Sequence, residues 1–391
     1  MLGSGAFVSI GLAEAMIGWW AVPAVLLAAL IAGCNALSSA QLAASHARAG
    51  GTYEYGHVFL SPAAGFTAGT MFLLAKSASA ATAALAFAAY FDALTGTGIA
   101  QILIAILLVA LLTILVLSGL RRANWLNAMI VIAVVAALCA FIALGSVGPN
   151  AASRSTQGGW DAASFFHASA LLFVAFTGYG RVATMAEEVR EPRRTIPPAI
   201  FATIAVTTLL YLGVAYVLTY SGQAISETAT PLESAARRFG PDWLPFAIAV
   251  AALLAMAGVL LNLLLGLSRV LLAMGRRGDA PILFGQLKAG EPVAAIIGIA
   301  MVVAGLCLVG DVRIAWTFSA VTVLIYYAIT NAAALKLEEE ERLFPRWIAW
   351  VGLSGCFCLA AFVPIIFWIW TILVLGAAFG LRQLSRQSSP L

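Results

Sequence analysis

Phe176-Thr177-Gly178-Tyr179-Gly180 lies in the middle of a candidate membrane span over 162–188, and Gly3-Ser4-Gly5-Ala6-Phe7 opens another over 1–18. Each stretch brings in glycine, which has poor helix propensity and leaves backbone donors and acceptors exposed. A membrane helix satisfies its own backbone, so a break at mid-depth is costly unless it lines a cavity or binds something. Taken alone, either break reads equally well as close helix packing through small residues. Taken together they read differently, because one opens spans one to five and the other holds the matching position in spans six to ten. Interrupted helices at corresponding positions of two halves point to a transporter site at a repeat interface. Free N–H groups at a half-helix N-terminus attract a carboxylate, and free carbonyls at a half-helix C-terminus attract an ammonium. Two facing breaks would therefore hold an amino acid zwitterion without any buried ionised side chain.

Composition independently makes the bilayer the solvent. Of 391 residues, 62% are hydrophobic and 10% charged, against about 25% charged residues in an ordinary soluble domain. A chain so poor in charge could not cover a water-facing surface. Apolar runs long enough to span, about 20 residues each, occur near 1–18, 21–44, 61–91, 98–119, 124–145, 162–188, 196–220, 243–274, 292–309, 312–337, 347–362 and 364–380. The fold class expected is an all-α integral membrane protein of about twelve helices, forming a single transporter domain over 1–391.

Lysine and arginine counts set the orientation. With the N-terminus cytoplasmic, cytoplasmic loops hold fourteen of these residues: Arg48, Arg121, Arg122, Arg190, Arg193, Arg194, Arg276, Arg277, Lys288, Lys336, Arg342, Arg346, Arg382 and Arg386. The opposite side holds four, Arg154, Arg237, Arg238 and Arg313. Both termini are thus expected in the cytoplasm, and a plasma-membrane location follows from the reading as a multi-pass carrier. The net charge of +4 gives no case for nucleic-acid binding. Cys34, Cys139, Cys307, Cys356 and Cys358 all lie in apolar runs and are expected as buried free thiols. The first twenty residues lack a basic leader and a cleavage site, so they are read as part of the mature chain.

These motifs resemble amino acid permeases of the amino acid–polyamine–organocation superfamily, in the manner of the cationic amino acid transporter branch. Gly3-Ser4-Gly5-Ala6-Phe7 is similar to that family's Gly-Ser-Gly-Ile-Phe break, with Ala6 in place of isoleucine. Ala49-Gly50-Gly51-Thr52-Tyr53-Glu54-Tyr55 resembles its Gly-Gly-x-Tyr-x-Tyr loop. The most specific likeness runs from Phe176 through Ala186-Glu187-Glu188-Val189 to Pro192-Arg193-Arg194-Thr195-Ile196-Pro197. The resemblance implies a five-plus-five inverted repeat, over about 1–145 and 162–337, with two extra helices near 347–380. It implies alternating access to a central amino acid. Gly3, Ser4 and Gly5 would contact the substrate carboxylate, while Phe176, Thr177 and Gly178 would offer carbonyls to its amino group, with Tyr179 close by. Side-chain selectivity would come from spans three, six, eight and ten.

Where relatives carry a half-helix before the first break, only Met1 and Leu2 precede it here. A start assigned downstream of the true one, or a truncated member of the family, is the expectation. Lys76 is the only charge between Gly65 and Tyr90, and an intramembrane ionisable residue is a functional candidate by default. The hypothesis is that it couples protonation or pairing to the carrier's cycle; the alternative is a lysine that snorkels or pairs structurally. Arg181 is expected to pair with Glu187 or Glu188, the three forming a cytoplasmic gate or a solvated loop. Glu14 reads as a helix-end residue, and His46, His57 and His167 as interfacial, with no role assigned.

Three function classes compete. The first is a secondary amino acid transporter, by uniport, exchange or proton symport, whose partners are the amino acid, the bilayer and protons. A membrane-embedded enzyme would need clustered nucleophiles, metal ligands or paired carboxylates. The spans hold no Glu-x-x-His and almost no acids, so neither catalytic nor metal-binding residues are expected. No nucleotide-binding loop is present and no cofactor is expected. The third class is a non-transporting homologue acting as an amino acid receptor or partner subunit.

Overall fold

Long runs of Ala, Leu, Ile and Val with little charge leave a membrane chain one economical answer, the helix, which closes all its backbone hydrogen bonds internally. The computed structural model describes residues 1–46, 50–118, 124–147, 160–180, 192–220, 229–288 and 290–387. Apart from an isolated bridge between Lys288 and Glu291, the described residues hold no β-structure.

The helices are α1 (Ile10–Ile17), α2 (Ala21–Ser45), α3 (Thr52–Tyr55), α4 (Pro62–Thr95), α5 (Gln101–Leu117), α6 (Asn124–Val147) and α7 (Ala162–Phe176). They continue with α8 (Pro192–Tyr220), α9 (Pro231–Phe239), α10 (Trp243–Arg276), α11 (Val293–Cys307), α12 (Val312–Ala334), α13 (Arg346–Ala361) and α14 (Ile365–Gln387). Among the described residues, eight helical stretches are long and apolar enough to cross a bilayer. Three shorter apolar helices accompany them: α5, α11 and α13. The first of the eight, Gly5–Ser45, turns at Gly18–Trp20. There Gly18 adopts φ +56°, a value that costs a residue without Cβ little.

Most boundaries expected from sequence lie within a few residues of the helix ends, although the expected span 162–188 runs past the described residues after Gly180 and α14 continues to Gln387 beyond the expected 380. Helix α8 begins at Pro192, ahead of the expected 196, because prolines are tolerated in a first turn whose N–H groups have no intrahelical partner. Two elements read as loop are helical. One is α3, which leads into a π-helical turn over Gly56–Leu60. The other is α9, which buries Leu232, Ala235 and Ala236 while Arg237 and Arg238 fall in its last turn. Its amphipathic pattern is too short to register as a span.

Helix α4 is the central post. Its small residues let partners approach on opposite sides. Met71, Ala75, Ala78 and Tyr90 belong to one apolar core with α1, α2, α7, α8 and α12, while Ala81, Ala84 and Ala88 belong to a second with α5, α10 and α11. Burial separates interior from rim: 72% of the apolar window of α4 and of α12 is buried, against 17% for α6 and α14. The rim helices turn Leu, Ile and Trp side chains outward, including Ile132, Ile365 and Leu373. Cys139 and Cys358 also face outward, contrary to the expectation that all five thiols are buried; Cys34, Cys307 and Cys356 are inside.

Candidate functional site

Gly3 and Gly5 lie where the chain must pass close to its neighbours. The first break is a π-helical turn over Gly5–Ser9, entered by bonds from the Ala6 and Phe7 amides to the Gly3 carbonyl at 3.0 and 3.2 Å. The wider turn leaves the i→i−4 ladder out of step, a feature common at functional sites. A Cβ on Gly5 would stand 2.5 Å from the Tyr211 hydroxyl and 2.8 Å from the Ala175 Cβ, and one on Gly3 would stand 2.6 Å from Val259 Cγ2. The break is therefore pressed against the end of α7, against α8 and against α10. Ser4 is buried beside it.

The second break begins where α7 ends. Thr177–Tyr179 tightens into a 3₁₀ turn, and the Thr177 hydroxyl turns back to donate to the Val174 carbonyl at 2.7 Å. Phe176 packs edge-on to Tyr211, with ring centroids 5.0 Å apart. A Cβ on Gly178 would stand 2.7 Å from the Met1 backbone nitrogen. Tyr211 completes the meeting of the two breaks, its hydroxyl lying 2.8 Å from the Met1 carbonyl and 3.3 Å from the Ala175 carbonyl. The structure thus brings together Gly3, Ser4, Gly5, Phe176, Thr177 and Gly178, although 170 residues of chain separate the two groups.

Lys76 joins them. It is 9% exposed, and its Nζ donates to the Thr177 Oγ1 at 2.7 Å. Because the threonine hydroxyl has already given its hydrogen to Val174, the oxygen is a fitting acceptor for the ammonium. Lys76 therefore does not snorkel to an interface. It points across the core to the second break. On the same helix, the Ala75 carbonyl accepts from Ser319 of α12 at 2.9 Å, so α4 and α12 are tied beside the lysine.

Two aromatic residues of α12 complete the wall. The Tyr327 hydroxyl donates to the Thr177 carbonyl at 3.3 Å, and its ring lies 5.3 Å from that of Tyr179. Tyr326 lies against Tyr327, with ring centroids 4.9 Å apart. The adjacent pair Tyr326-Tyr327 stood out in the sequence, whereas Tyr211, one of three tyrosines in α8 with Tyr216 and Tyr220, carried no local signal.

Of the remaining candidates, Arg181, Glu187 and Glu188 lie outside the described residues. Glu14 falls in the last turn of α1 as expected, yet it is 4% exposed, and its Oε2 has no hydrogen-bond partner among the described residues. Among the described residues no group of three or more His, Cys, Asp or Glu could hold a metal ion.

The chain was compared with known proteins. The profile of one family, described as amino acid permease, matches residues 1–381. An uncharacterised transporter of Mycobacterium tuberculosis is 36% identical over 98% of this chain and 88% of its own length. The chain is 24% identical to a chloroplastic cationic amino acid transporter of Arabidopsis thaliana, over 86% of this chain and 63% of that protein. It is 26% identical to a branched-chain amino acid permease of Bacillus subtilis, over 75% of this chain and 67% of the permease.

Proposed function

Because this chain belongs to the amino acid permease family and is a multi-pass membrane transporter rather than an enzyme, we propose that it moves an amino acid across the membrane by alternating access at the meeting of its two helix breaks. The single observation that carries this reading is that Tyr211 joins the two breaks, its hydroxyl crowding Gly5 and lying 2.8 Å from the Met1 carbonyl while its ring packs on Phe176. It supports a site where the backbone of two interrupted helices faces one small zwitterion, the arrangement suited to a carboxylate and an ammonium on one carbon. In this reading Gly3, Ser4 and Gly5 receive the carboxylate. Phe176, Thr177 and Gly178 receive the amino group, and Tyr179 and Tyr327 form a wall.

Twelve crossings arranged as two five-helix repeats with two further helices, both termini cytoplasmic, belong to the same proposal. Its support is the eight long spans, the three shorter apolar helices and the turn that divides Gly5–Ser45, together with the fourteen-to-four charge bias. A plasma-membrane location is part of it. We assign Lys76 the coupling role, since its ammonium holds Thr177 and its protonation would alter the second break directly. The relatives' names make branched-chain and cationic amino acids the first to test.

The experiment is uptake of radiolabelled amino acids into proteoliposomes holding the purified full chain, with and without a pH gradient. Saturable accumulation of at least one amino acid, accelerated by an inward proton gradient, is expected. Binding without uptake would make the protein a receptor, and neither binding nor uptake would end the reading.

A further inference from the structure

The end of the bundle that charge alternation assigns to the cytoplasm holds a buried polar cluster with no part in the site above. Asp279 follows the turn made by Gly278, at φ +73°, just beyond α10, and its side chain is wholly inaccessible. Its Oδ1 accepts from Arg382 Nε of α14 at 2.8 Å. Its Oδ2 accepts from the Tyr53 hydroxyl of α3 at 2.8 Å and lies 3.2 Å from His57 Nε2. Three segments distant in sequence meet on one carboxylate. Arg382 also donates to the Pro62 carbonyl at 3.3 Å and lies over the Phe66 ring. Beside the cluster, Arg277 pairs with Glu54 at 2.8 Å, His46 lies 3.8 Å from Glu54, and Arg277 sits over the Tyr53 ring.

The second nitrogen of His57 fixes what the ring can do. Nδ1 lies 2.8 Å from the Tyr53 carbonyl oxygen, which has no hydrogen to give, so Nδ1 must carry one wherever that bond is kept. Nε2 then meets Asp279 in one of two forms. In the neutral ring it presents a lone pair to a carboxylate oxygen, which is repulsive. In the imidazolium it brings a positive charge to 3.2 Å from the buried carboxylate, an ion pair. The Tyr53 hydroxyl stays a donor throughout, since burial and its bond to Asp279 hold it above the ordinary tyrosine range. The cluster is complete only with two protons on His57.

Polar contacts also run from this cluster to the second break. Thr52, next to Tyr53, donates its backbone N–H to the Tyr326 hydroxyl at 3.4 Å and shares a hydrogen bond with Thr330 at 2.7 Å. Tyr327, beside Tyr326, donates to the Thr177 carbonyl. A displacement of the Thr52–Leu60 segment would therefore pull on α12 where α12 holds the site.

We propose that His57, Asp279, Tyr53 and Arg382 form a proton-dependent latch. With His57 protonated, it clamps α14 and the Thr52–Leu60 segment to the end of α10; loss of the Nε2 proton frees the segment and allows the bundle to open on that face. That the latch regulates transport rests on the reading of the two breaks as a solute site, whereas its proton dependence does not. Acid on the latch side therefore slows turnover.

Hydrogen–deuterium exchange on the full chain in lipid nanodiscs, at pH 5.5 and 8 with intrinsic exchange rates corrected, tests the latch without substrate. Backbone amides of Thr52–Leu60 are expected to exchange at least about threefold more slowly at the acid pH, because an opening that separates an ion pair becomes that much rarer. In His57→Gln that difference disappears, the glutamine being uncharged at both pH values. Equal protection of the wild type at the two pH values, or a pH step that survives in His57→Gln, overturns the latch. For regulation, proteoliposomes with the latch side at pH 5.5 are expected to take up substrate more slowly than at pH 8, and H57Q equally at both. An exchange step without this difference overturns the regulatory claim. An exchange step in a protein that moves no amino acid overturns instead the function the site was given.

Discussion

Replacing Lys76 by methionine separates a working lysine from a structural one. The ammonium is buried on α4, and the Thr177 hydroxyl oxygen accepts its bond at 2.7 Å. Holding a charged lysine at the centre of a membrane helix costs about 2.5–3.5 kcal/mol. A hydrogen bond involving a charged group returns about 1.5–3 kcal/mol. The two nearly offset, so Lys76→Met is expected to leave folding stability within about 2 kcal/mol of the wild type. Transport has no such compensation. Losing ~1.5–3 kcal/mol of restraint on the second break corresponds to roughly a 10- to 150-fold fall in turnover, at 1.36 kcal/mol per tenfold. The assay is uptake into proteoliposomes over a range of external pH, with thermal melting of the same preparation as the control for folding. Thr177→Val should lower uptake by a similar factor. The double variant should be no worse than either single one, because both remove one contact. Uptake by Lys76→Met within twofold of the wild type, with an unchanged pH profile, would refute the reasoning and leave the lysine a packing feature.

The remaining expectations concern close approaches and one helix cap. Gly5→Ala places its Cβ 2.5 Å from the Tyr211 hydroxyl and against Ala175, an overpacking worth about 1–3 kcal/mol; a lower melting temperature together with lost uptake is expected, and an unshifted melt would show that the turn is loose. Gly352→Ala drives a methyl to 2.5 Å from the side-chain oxygens of both Asn35 and Asn331. Asn331 donates to Asn35 in the core between α2, α12 and α13, so the variant should lose protein from the membrane fraction, measured by fluorescence-detected chromatography. Asp161 caps α7, its carboxylate accepting from the Ser164 N–H at 2.8 Å, and the Ser164 donors hold its carboxyl below the ordinary range. A depressed carboxyl stabilises above the unfolded-state value and loses its contribution as pH falls through the folded one. Asp161→Ala should therefore melt earlier than the wild type at pH 7, with the gap closing below about pH 4; a gap that persists in acid would assign the effect to something other than the cap.

How much of this was legible in the sequence depends on the range of the interaction. The Gly3-Ser4-Gly5 and Thr177-Gly178-Tyr179 breaks could be read because glycine acts through its own backbone. Lys76 stood out because a charge in an apolar run is conspicuous whatever surrounds it. His57 shows the opposite case. Its neighbours Asp279 and Arg382 stand 222 and 325 residues away, and nothing local distinguishes a ring that meets a buried carboxylate from an interfacial histidine. Glu14 was read correctly as a helix-end residue, but its burial was not legible, since its position near the end of α1 says nothing about the helices packed around it.

The sequence by itself determined the solvent, the helical class, the approximate limits of the spans and the places where helices break, because each follows from hydrophobicity and backbone propensity within about twenty residues. Only the tertiary structure decided that Tyr211 joins the two breaks, that Lys76 reaches Thr177 rather than an interface, and that one carboxylate ties α3, α10 and α14 together. Those outcomes depend on which helix faces which. In a chain where nearly every face is apolar, that choice rests on the fit of small residues against large ones and on a few buried polar partners, which become visible only when the helices are packed.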